Sequence, residues 1–335
     1  MKKVHMQVFE QEPWNFPAPS VLTVGVFDGL HLGHQALIKH AISRAKEKGI
    51  CSAVLTFHEH PLAILAPPFC PKRLLYPDRK QQILAELGID FLACVRFTRD
   101  FARQSPEEFV RNYLVSRCKT KGVVCGPDFT FGTNGSGTVE TLRDLGEKFG
   151  FFVDVVEPCS VDNMFARSTI VRDLLFTGEL DKVYRILTRP YELRGTVVPG
   201  HARGHKLGFP TANLDPTPQF VVPARGVYVC AVAGDRVPGV LPAMVNIGYN
   251  PTFGSDRLTI EAHILNFAGE LRGTKLSLFF LKRLRDEQVF SGADALIRQL
   301  TRDREQTVSI WEEPGVKVMV GEVDRLLKGG TFASS

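Results

Sequence analysis

Thr23-Val24-Gly25-Val26-Phe27-Asp28-Gly29-Leu30-His31-Leu32-Gly33-His34 is the stretch that decides the fold of the N-terminal half. It lies within and beyond a nearly continuous apolar run, Val21 to Phe27, of the kind that forms a strand buried on both faces. Ala36, Leu37, Ile38, Ala41, Ile42 and Ala45 follow at helical spacing, and Gly49 supplies a stop. Between strand and helix the glycines allow a sharp turn and a close backbone approach to a ligand. A helix N-terminus after such a turn offers unpaired N–H groups and the positive end of a dipole, a seat for phosphate. His31 and His34 stand three apart, so both project to one side of that turn and can donate to developing phosphoryl charge. As an isolated pair they read as surface residues or as half of a metal site, but no further ligand pair at zinc-site spacing is visible. The glycines, the strand before and the helix after turn the balance to a nucleotide site. Gly25, Phe27, Asp28, Gly29, His31, Gly33 and His34 are its candidate phosphate-binding residues.

The stretch resembles the H-x-G-H signature of nucleotidylyltransferases. No Gly-Lys-Ser/Thr follows, so it is not a Walker loop. Outward from it, Cys51 to Phe57 is a second buried run, and the proline-rich segment Pro61 to Pro77 is expected to be a surface loop. Arg79 to Leu87 reads as a helix stopped by Gly88, and Phe91 to Phe97 as a strand. Ser105-Pro106-Glu107-Glu108 carries a cap, a proline at the first helical position and a capping-box glutamate, opening a helix to about Arg117. Gly122 to Cys125 and Phe151 to Val156 are further strands. Such alternation means a parallel sheet with right-handed crossovers, and ligands sit at its carboxyl edge. Gly126 to Gly137 lies at one such end, a glycine-rich loop able to wrap a nucleotide or a flat ring. Ser168-Thr169 opens a helix through Phe176 with Arg172 in its second turn, suited to phosphate but also to simple capping. Leu180 to Leu187 is a short helix.

The chain has 335 residues, which favours two domains, with 44% apolar and 23% charged residues as in ordinary globular proteins. A net charge of +5 suits anionic substrates without the basic stripe of a nucleic-acid binder. Seven scattered cysteines without Cys-x-x-Cys are expected to be reduced thiols. No apolar h-region follows the first charged residues, and runs such as Leu276 to Leu281 are too short to span a bilayer. A cytoplasmic protein without membrane or nucleic-acid partners is expected, its oligomeric state open.

At Thr188-Arg189-Pro190 the pattern changes to strands and turns. Tyr191 to Val198, Gly226 to Ala233, Ala243 to Ile247, Leu258 to Phe267 and Lys275 to Arg285 suggest an antiparallel barrel. Ser291 to about Trp311 is an amphipathic helix, and the tail from Lys328 is expected to be disordered. Within the barrel, Thr211 and Asn213 are two apart on an extended segment, so a hydroxyl and an amide oxygen can share one hard cation. The basic, glycine-rich approach at 200–208, with Gly204 and Lys206, can fold over phosphates. Taken alone, Pro210 to Asn213 is also compatible with turn chemistry.

The whole pattern removes that ambiguity. Gly208-Phe209-Pro210-Thr211-Ala212-Asn213-Leu214, Gly226-Val227-Tyr228, Asn246-Ile247-Gly248 with Pro251-Thr252-Phe253, and Glu261-x-His263 closely resemble riboflavin kinase. Joined to the H-x-G-H half, the chain resembles the prokaryotic bifunctional riboflavin kinase/FAD synthetase family over about residues 15–310. The fold implied is α/β: a Rossmann-like nucleotidylyltransferase domain with a parallel sheet over 1–186. A small antiparallel β-barrel kinase domain with a C-terminal helix follows over 187–330. The activity implied is ATP-dependent phosphorylation of riboflavin to FMN and adenylylation of FMN to FAD, with Mg2+ as cofactor. A chain with only one working activity, or a flavin-binding regulator, is the alternative. By resemblance His31 and His34 engage ATP, as do Ser168, Thr169 and Arg172. His60, Pro61, Asp128, Phe129 and Phe131 fall at flavin-side positions. Thr211 and Asn213 hold magnesium and phosphate, and Glu261 is the base for the ribityl 5′-hydroxyl.

The chain departs from the family at Glu59, at His205 and at Arg167-Ser168-Thr169-Ile170, where Ser-Ser-Thr-Arg is usual. Arg167 is expected to contact a phosphate, in place of the arginine replaced by Ile170, or else to be a solvated residue at a helix edge.

Overall fold

A computed structural model of the chain describes residues 6–11, 13–200, 208–249 and 258–329. Packing divides it into two compact units, Met1–Pro71 with Leu75–Arg167, and Lys72–Leu74 with Ser168–Ser335.

The first unit is built on six parallel strands: β1 (Gln7–Phe9), β2 (Ser20–Val24), β3 (Cys51–Phe57), β4 (Phe91–Val95), β5 (Thr120–Cys125) and β6 (Phe152–Val155). Their order is β1-β4-β3-β2-β5-β6. All five residues of β2 are buried, as its apolar run requires. The chain leaves β2 towards β3 on one side and returns as β5 on the other. The carboxyl ends of β2 and β5 therefore flank the topological switch point, where an open α/β sheet leaves a crevice. The helix Leu32–Lys48 follows β2 and ends at Gly49, whose left-handed φ of 64° lets its N–H donate to the Ala45 and Lys46 carbonyls. The capping box is formed: the Ser105 hydroxyl accepts from the Glu108 N–H at 3.3 Å, and the Glu108 carboxylate accepts from the Ser105 N–H at 2.7 Å.

Several local features differ from the sequence expectation. Helix Pro106–Phe109 widens into a π-helix over Val110–Arg117, where the Cys118 N–H donates to the Tyr113 carbonyl. The segment from Pro61 to Pro77 is not a plain loop. It holds a helical turn, Leu62–Leu65, and a 3-10 turn, Pro67–Phe69, because proline is accepted at the start of a helix. For the same reason helix Pro77–Leu87 starts two residues early. A small hairpin, β7 (Ser160–Val161) and β8 (Met164–Phe165), turns on Asp162 and Asn163, both at positive φ as a type I′ turn demands. All seven cysteines are unpaired thiols.

The second unit is a closed barrel of β9 (Tyr191–Val198), β10 (Ala212–Pro216), β11 (Gly226–Gly234), β12 (Leu241–Tyr249), β13 (Leu258–Ile264) and β14 (Lys275–Arg285). The order is β10-β13-β12-β11-β14-β9, with antiparallel pairing throughout. Helices Ser168–Thr177 and Leu180–Leu187 pack with this unit, since Leu180, Val183, Ile186 and Leu187 are all buried beside β9 and β14. Two helices, not one, close the described chain: Ala293–Trp311 and Pro314–Gly329. In the second, Val316, Met319 and Val323 recur at helical spacing and bury against Val229, Ala231, Phe279 and Leu281. Lys328 and Gly329, expected in a disordered tail, instead end that helix, and the tail from 330 onward lies outside the described residues.

Helix Ala293–Trp311 is tied to the barrel by a buried ion pair. Arg285 donates from Nη2 to Asp303 at 2.7 Å and from Nε to both carboxylate oxygens at 3.1 Å, while Gln299 donates to Asp303 at 2.8 Å. Asp303 has no exposed surface. Asp303→Ala leaves a guanidinium without its counter-charge, so a loss of about 3–5 kcal/mol is expected in urea unfolding followed on the barrel unit. A loss under 1 kcal/mol shows that solvent reaches Arg285 readily.

Candidate functional site

The turn after β2 is built against strong local preferences. Phe27 and Leu30 adopt φ of 51° and 41°, and Gly29 one of 85°. Left-handed backbone at two bulky residues costs about 1–3 kcal/mol each, and such strain clusters at ligand sites. The surroundings hold the turn in place. Lys80 Nζ and the Thr56 hydroxyl donate to the Val26 carbonyl at 2.7 and 3.2 Å, and Gln35 Nε2 donates to the Leu30 carbonyl at 3.0 Å. Phe27 and Leu30 bury their side chains, and Asp28 is buried too.

His31 is the N-cap of helix Leu32–Lys48, its Nδ1 accepting a long 3.4 Å bond from the His34 N–H. An accepting Nδ1 puts the ring proton on Nε2, a donor at the helix's positive end. The rings of His31 and His34 stack at 3.6 Å between centroids, and Phe27 meets His34 edge-on at 5.2 Å. A Cβ on Gly33 would lie 3.1 Å from the Ala166 carbonyl and 3.3 Å from the His31 ring, so a larger residue there would press on both by a few tenths of an ångström. Gly25 lies tight against the Phe27 ring.

The second candidate loop follows β5 and so lies at the same switch point. Asp128 is exposed and accepts from Arg167 Nη2 at 3.3 Å. Phe129 stacks on Phe131 at 5.5 Å. Phe131 is a core residue, 7% exposed among Phe109, Val139 and Leu142, which gives it a packing role. His60 Nδ1 accepts from the Leu62 N–H at 3.2 Å, and Pro61 precedes the turn Leu62–Leu65. In the other unit, Ser168 and Thr169 begin helix Ser168–Thr177. Arg172 is buried there, its Nε donating to the Lys72 carbonyl at 2.7 Å.

The barrel brings three polar residues into one row. Asn213 on β10 is registered opposite Glu261 on β13, and Glu261 opposite Asn246 on β12. Their strand neighbours Ala212, Leu214, Ile260, Ala262, Val245 and Ile247 are buried, so the three side chains share the other face and are half-buried. Thr211 immediately precedes β10 and is half-buried. The segment before β10 is held by His263, whose Nδ1 donates to the Pro210 carbonyl at 2.8 Å, while its ring meets Phe209 at 5.4 Å. A Cβ on Gly200 would stand 2.0 Å from Asn213 Nδ2, so the asparagine lies directly on that glycine. Gly200 and Asn246 lie in stretches that the sequence singles out, but neither was assigned a role there. An asparagine inside an apolar strand was the available signal. Gly204, Lys206, His205 and Pro251-Thr252-Phe253 lie outside the described residues. Hydroxyl, amide and carboxylate oxygens fit a hard divalent cation, and no His/Cys/Asp/Glu cluster among the described residues competes for one.

Comparison with known proteins agrees with both halves. A family model for FAD synthetase matches residues 15–170, and one for riboflavin kinase matches 187–311. A bifunctional riboflavin kinase/FMN adenylyltransferase of Listeria monocytogenes is 38% identical over 291 residues, 86% of this chain and 91% of the relative. Those of Bacillus subtilis and Escherichia coli are 36% and 35% identical, over 87% and 84% of this chain and 92% and 90% of their own. Among solved structures, one called a macrolide-efflux protein from Streptococcus pneumoniae superposes with a TM-score of 0.81 at 32% identity, covering 90% of this chain and 98% of that one. The efflux in that name stays with that protein. Among the described residues no helix is long and apolar enough to cross a membrane.

Proposed function

The chain belongs to the bifunctional riboflavin kinase/FMN adenylyltransferase family, and from that premise we infer how its residues divide the two reactions. ATP phosphorylates riboflavin to FMN, and a second ATP adenylylates FMN to FAD with release of pyrophosphate. The observation that carries the kinase assignment is the row Asn213–Glu261 across β10 and β13. Glu261 takes the proton of the ribityl 5′-hydroxyl as its oxygen bonds the γ-phosphorus of ATP and the bond to ADP breaks. Thr211 and Asn213 would hold Mg2+, which would neutralise phosphate charge there. The 1–186 and 187–330 division assigns adenylylation to the first part and phosphorylation to the second, with helices Ser168–Thr177 and Leu180–Leu187 packed beside the barrel. In the first part His31 and His34, on the turn with Gly25, Phe27, Asp28, Gly29 and Gly33, engage the ATP phosphates. Ser168, Thr169 and Arg172 are assigned to phosphate in that reaction by the family resemblance alone. His60, Pro61, Asp128, Phe129 and Phe131 stand on the flavin side. Seven unpaired thiols support a reducing, cytoplasmic location.

Incubation of the purified protein with riboflavin, ATP and magnesium, followed by separation of the flavins, tests the whole. FAD is expected; accumulation of FMN alone, or unchanged riboflavin, overturns the bifunctional reading. Gly200→Ala is expected to cut riboflavin phosphorylation at least tenfold, since its methyl takes the place of the Asn213 amide. FAD formation from supplied FMN is expected to be unchanged, and a normal kinase rate in that variant shows that the amide has another productive position.

Arg167 is a proposed phosphate donor for adenylylation. It is paired with Asp128, both side chains being more than half exposed, so the pair adds little stability and can re-partner. Arg167→Ser is expected to slow FMN adenylylation about tenfold, the worth of about 1–2 kcal/mol for a charged hydrogen bond. Phosphorylation of riboflavin is expected to be unchanged. Unaltered FAD synthesis assigns Arg167 to solvent.

A further inference from the structure

Asn246 occupies an unfavourable place for its side chain. It lies inside β12 between buried Val245 and Ile247, although asparagine is among the poorest strand formers. Its side chain is half-buried and faces the same way as Glu261, the residue opposite it on β13. Among the described residues the Asn246 amide makes no hydrogen bond. A half-buried side-chain amide with no partner among the described residues is free to bond a ligand, which recovers the cost of its partial desolvation.

The order of groups across the strands gives the ligand. Directly opposed residues of neighbouring strands place their Cβ atoms about 4.5–5.5 Å apart. The row therefore runs Asn213, Glu261, Asn246 in two steps of that size. On the reading above, Asn213 stands at the metal and phosphate, and Glu261 at the terminal hydroxyl. The next group along riboflavin from the terminal hydroxyl is the rest of its polyol chain. The secondary hydroxyl beside the terminal one follows it along the row, and an amide can both donate to and accept from a hydroxyl.

We propose that Asn246 is the residue that reads the ribityl chain, hydrogen-bonding the secondary hydroxyl next to the one phosphorylated. It selects a polyhydroxylated side chain and sets the terminal oxygen against Glu261. This rests on the kinase site being the Asn213–Glu261 row. Two-point contact, at a carboxylate and at an amide one strand away, fixes the direction of the polyol where a single contact leaves it free to swivel. A site that hydrogen-bonds a substrate hydroxyl also discriminates against an analogue lacking it, because its own polar group is then left unpaired.

The test pairs Asn246→Ala with a flavin lacking the 4′-hydroxyl but keeping the terminal one, and measures kcat/KM for phosphorylation in all four combinations. With the wild-type chain, the deoxy flavin is expected to be poorer than riboflavin by tenfold or more. Asn246→Ala is expected to lose a similar factor on riboflavin and little on the deoxy flavin, so the two losses do not multiply. Asn246→Ser, which keeps a hydroxyl donor and acceptor, is expected to recover part of the preference. FMN adenylylation is expected to be unchanged in both variants, and thermal unfolding of each identifies a merely destabilised barrel. Equal losses on both flavins overturn the proposal, as does an unaffected rate on riboflavin. Asn213→Ala and Glu261→Gln run alongside separate the two layers of inference. If these keep normal kinase rates the row is not the site, whereas if they fail and Asn246→Ala shows no flavin preference only the present proposal falls.

Discussion

Glu261→Gln is expected to lower riboflavin phosphorylation by about a hundredfold or more while leaving conversion of supplied FMN to FAD at its normal rate. Glutamine keeps the volume and one acceptor oxygen but cannot take the hydroxyl proton, and a positioned base contributes roughly 10²–10⁴ to rate. The register supports the role: Glu261 is flanked on neighbouring strands by Asn213 and Asn246, all half-buried on one face. The loss is expected in kcat, because binding of riboflavin and ATP does not need the proton transfer. Kinase turnover within threefold of normal removes Glu261 from the base role. Most of the remaining catalysis is expected to come from positioning and charge neutralisation around the transferred phosphoryl group.

The second large effect is expected at the stacked histidines. His34→Ala is expected to cut adenylylation of FMN by about 10²–10³, the usual consequence of removing one donor aimed at developing charge. Riboflavin phosphorylation is expected to be unaffected. His31 needs a subtler test because it also caps helix Leu32–Lys48 through Nδ1. His31→Ala combines a lost donor with a lost cap of about 1 kcal/mol, whereas His31→Asn restores a capping acceptor and still lacks the imidazole Nε2. Equal adenylylation deficits in the two His31 variants, with stability recovered only in asparagine, identify the ring nitrogen as the working group. A His34→Ala enzyme that makes FAD normally refutes the assignment.

Much of the secondary structure was legible because its signals are local. Leu180–Leu187, Tyr191–Val198 and Lys275–Arg285 have the bounds that periodicity and turn residues assign, and Ser105 and Glu108 form the expected capping box. What was missed had weak local signals. Gln7–Phe9 is three residues long and is a strand only because β4 lies beside it. The helix Pro314–Gly329 exists through the apolar surface that β11 and β14 present to Val316, Met319 and Val323. The proline-rich segment concealed two short helical turns because proline is as welcome at a helix start as in a loop.

The chemistry-bearing residue types, and the family they mark, were carried by the sequence itself: a histidine pair after a glycine turn, a threonine and asparagine two apart, and a glutamate some fifty residues on. These are consequences of bond geometry and side-chain chemistry, which hold before any long-range contact forms. Tertiary structure alone decided which of them are neighbours. Asn213 and Glu261 become partners because β10 pairs with β13 across a closed barrel, and that choice of strand follows from burying Ala212, Leu214, Ile260 and Ala262 together inside it. The same closure places Asn246 on the far side of Glu261 and gives the row its direction. A one-residue slip in either pairing would turn those polar side chains into the core, so the register that fills the barrel also sets the order of the proposed site.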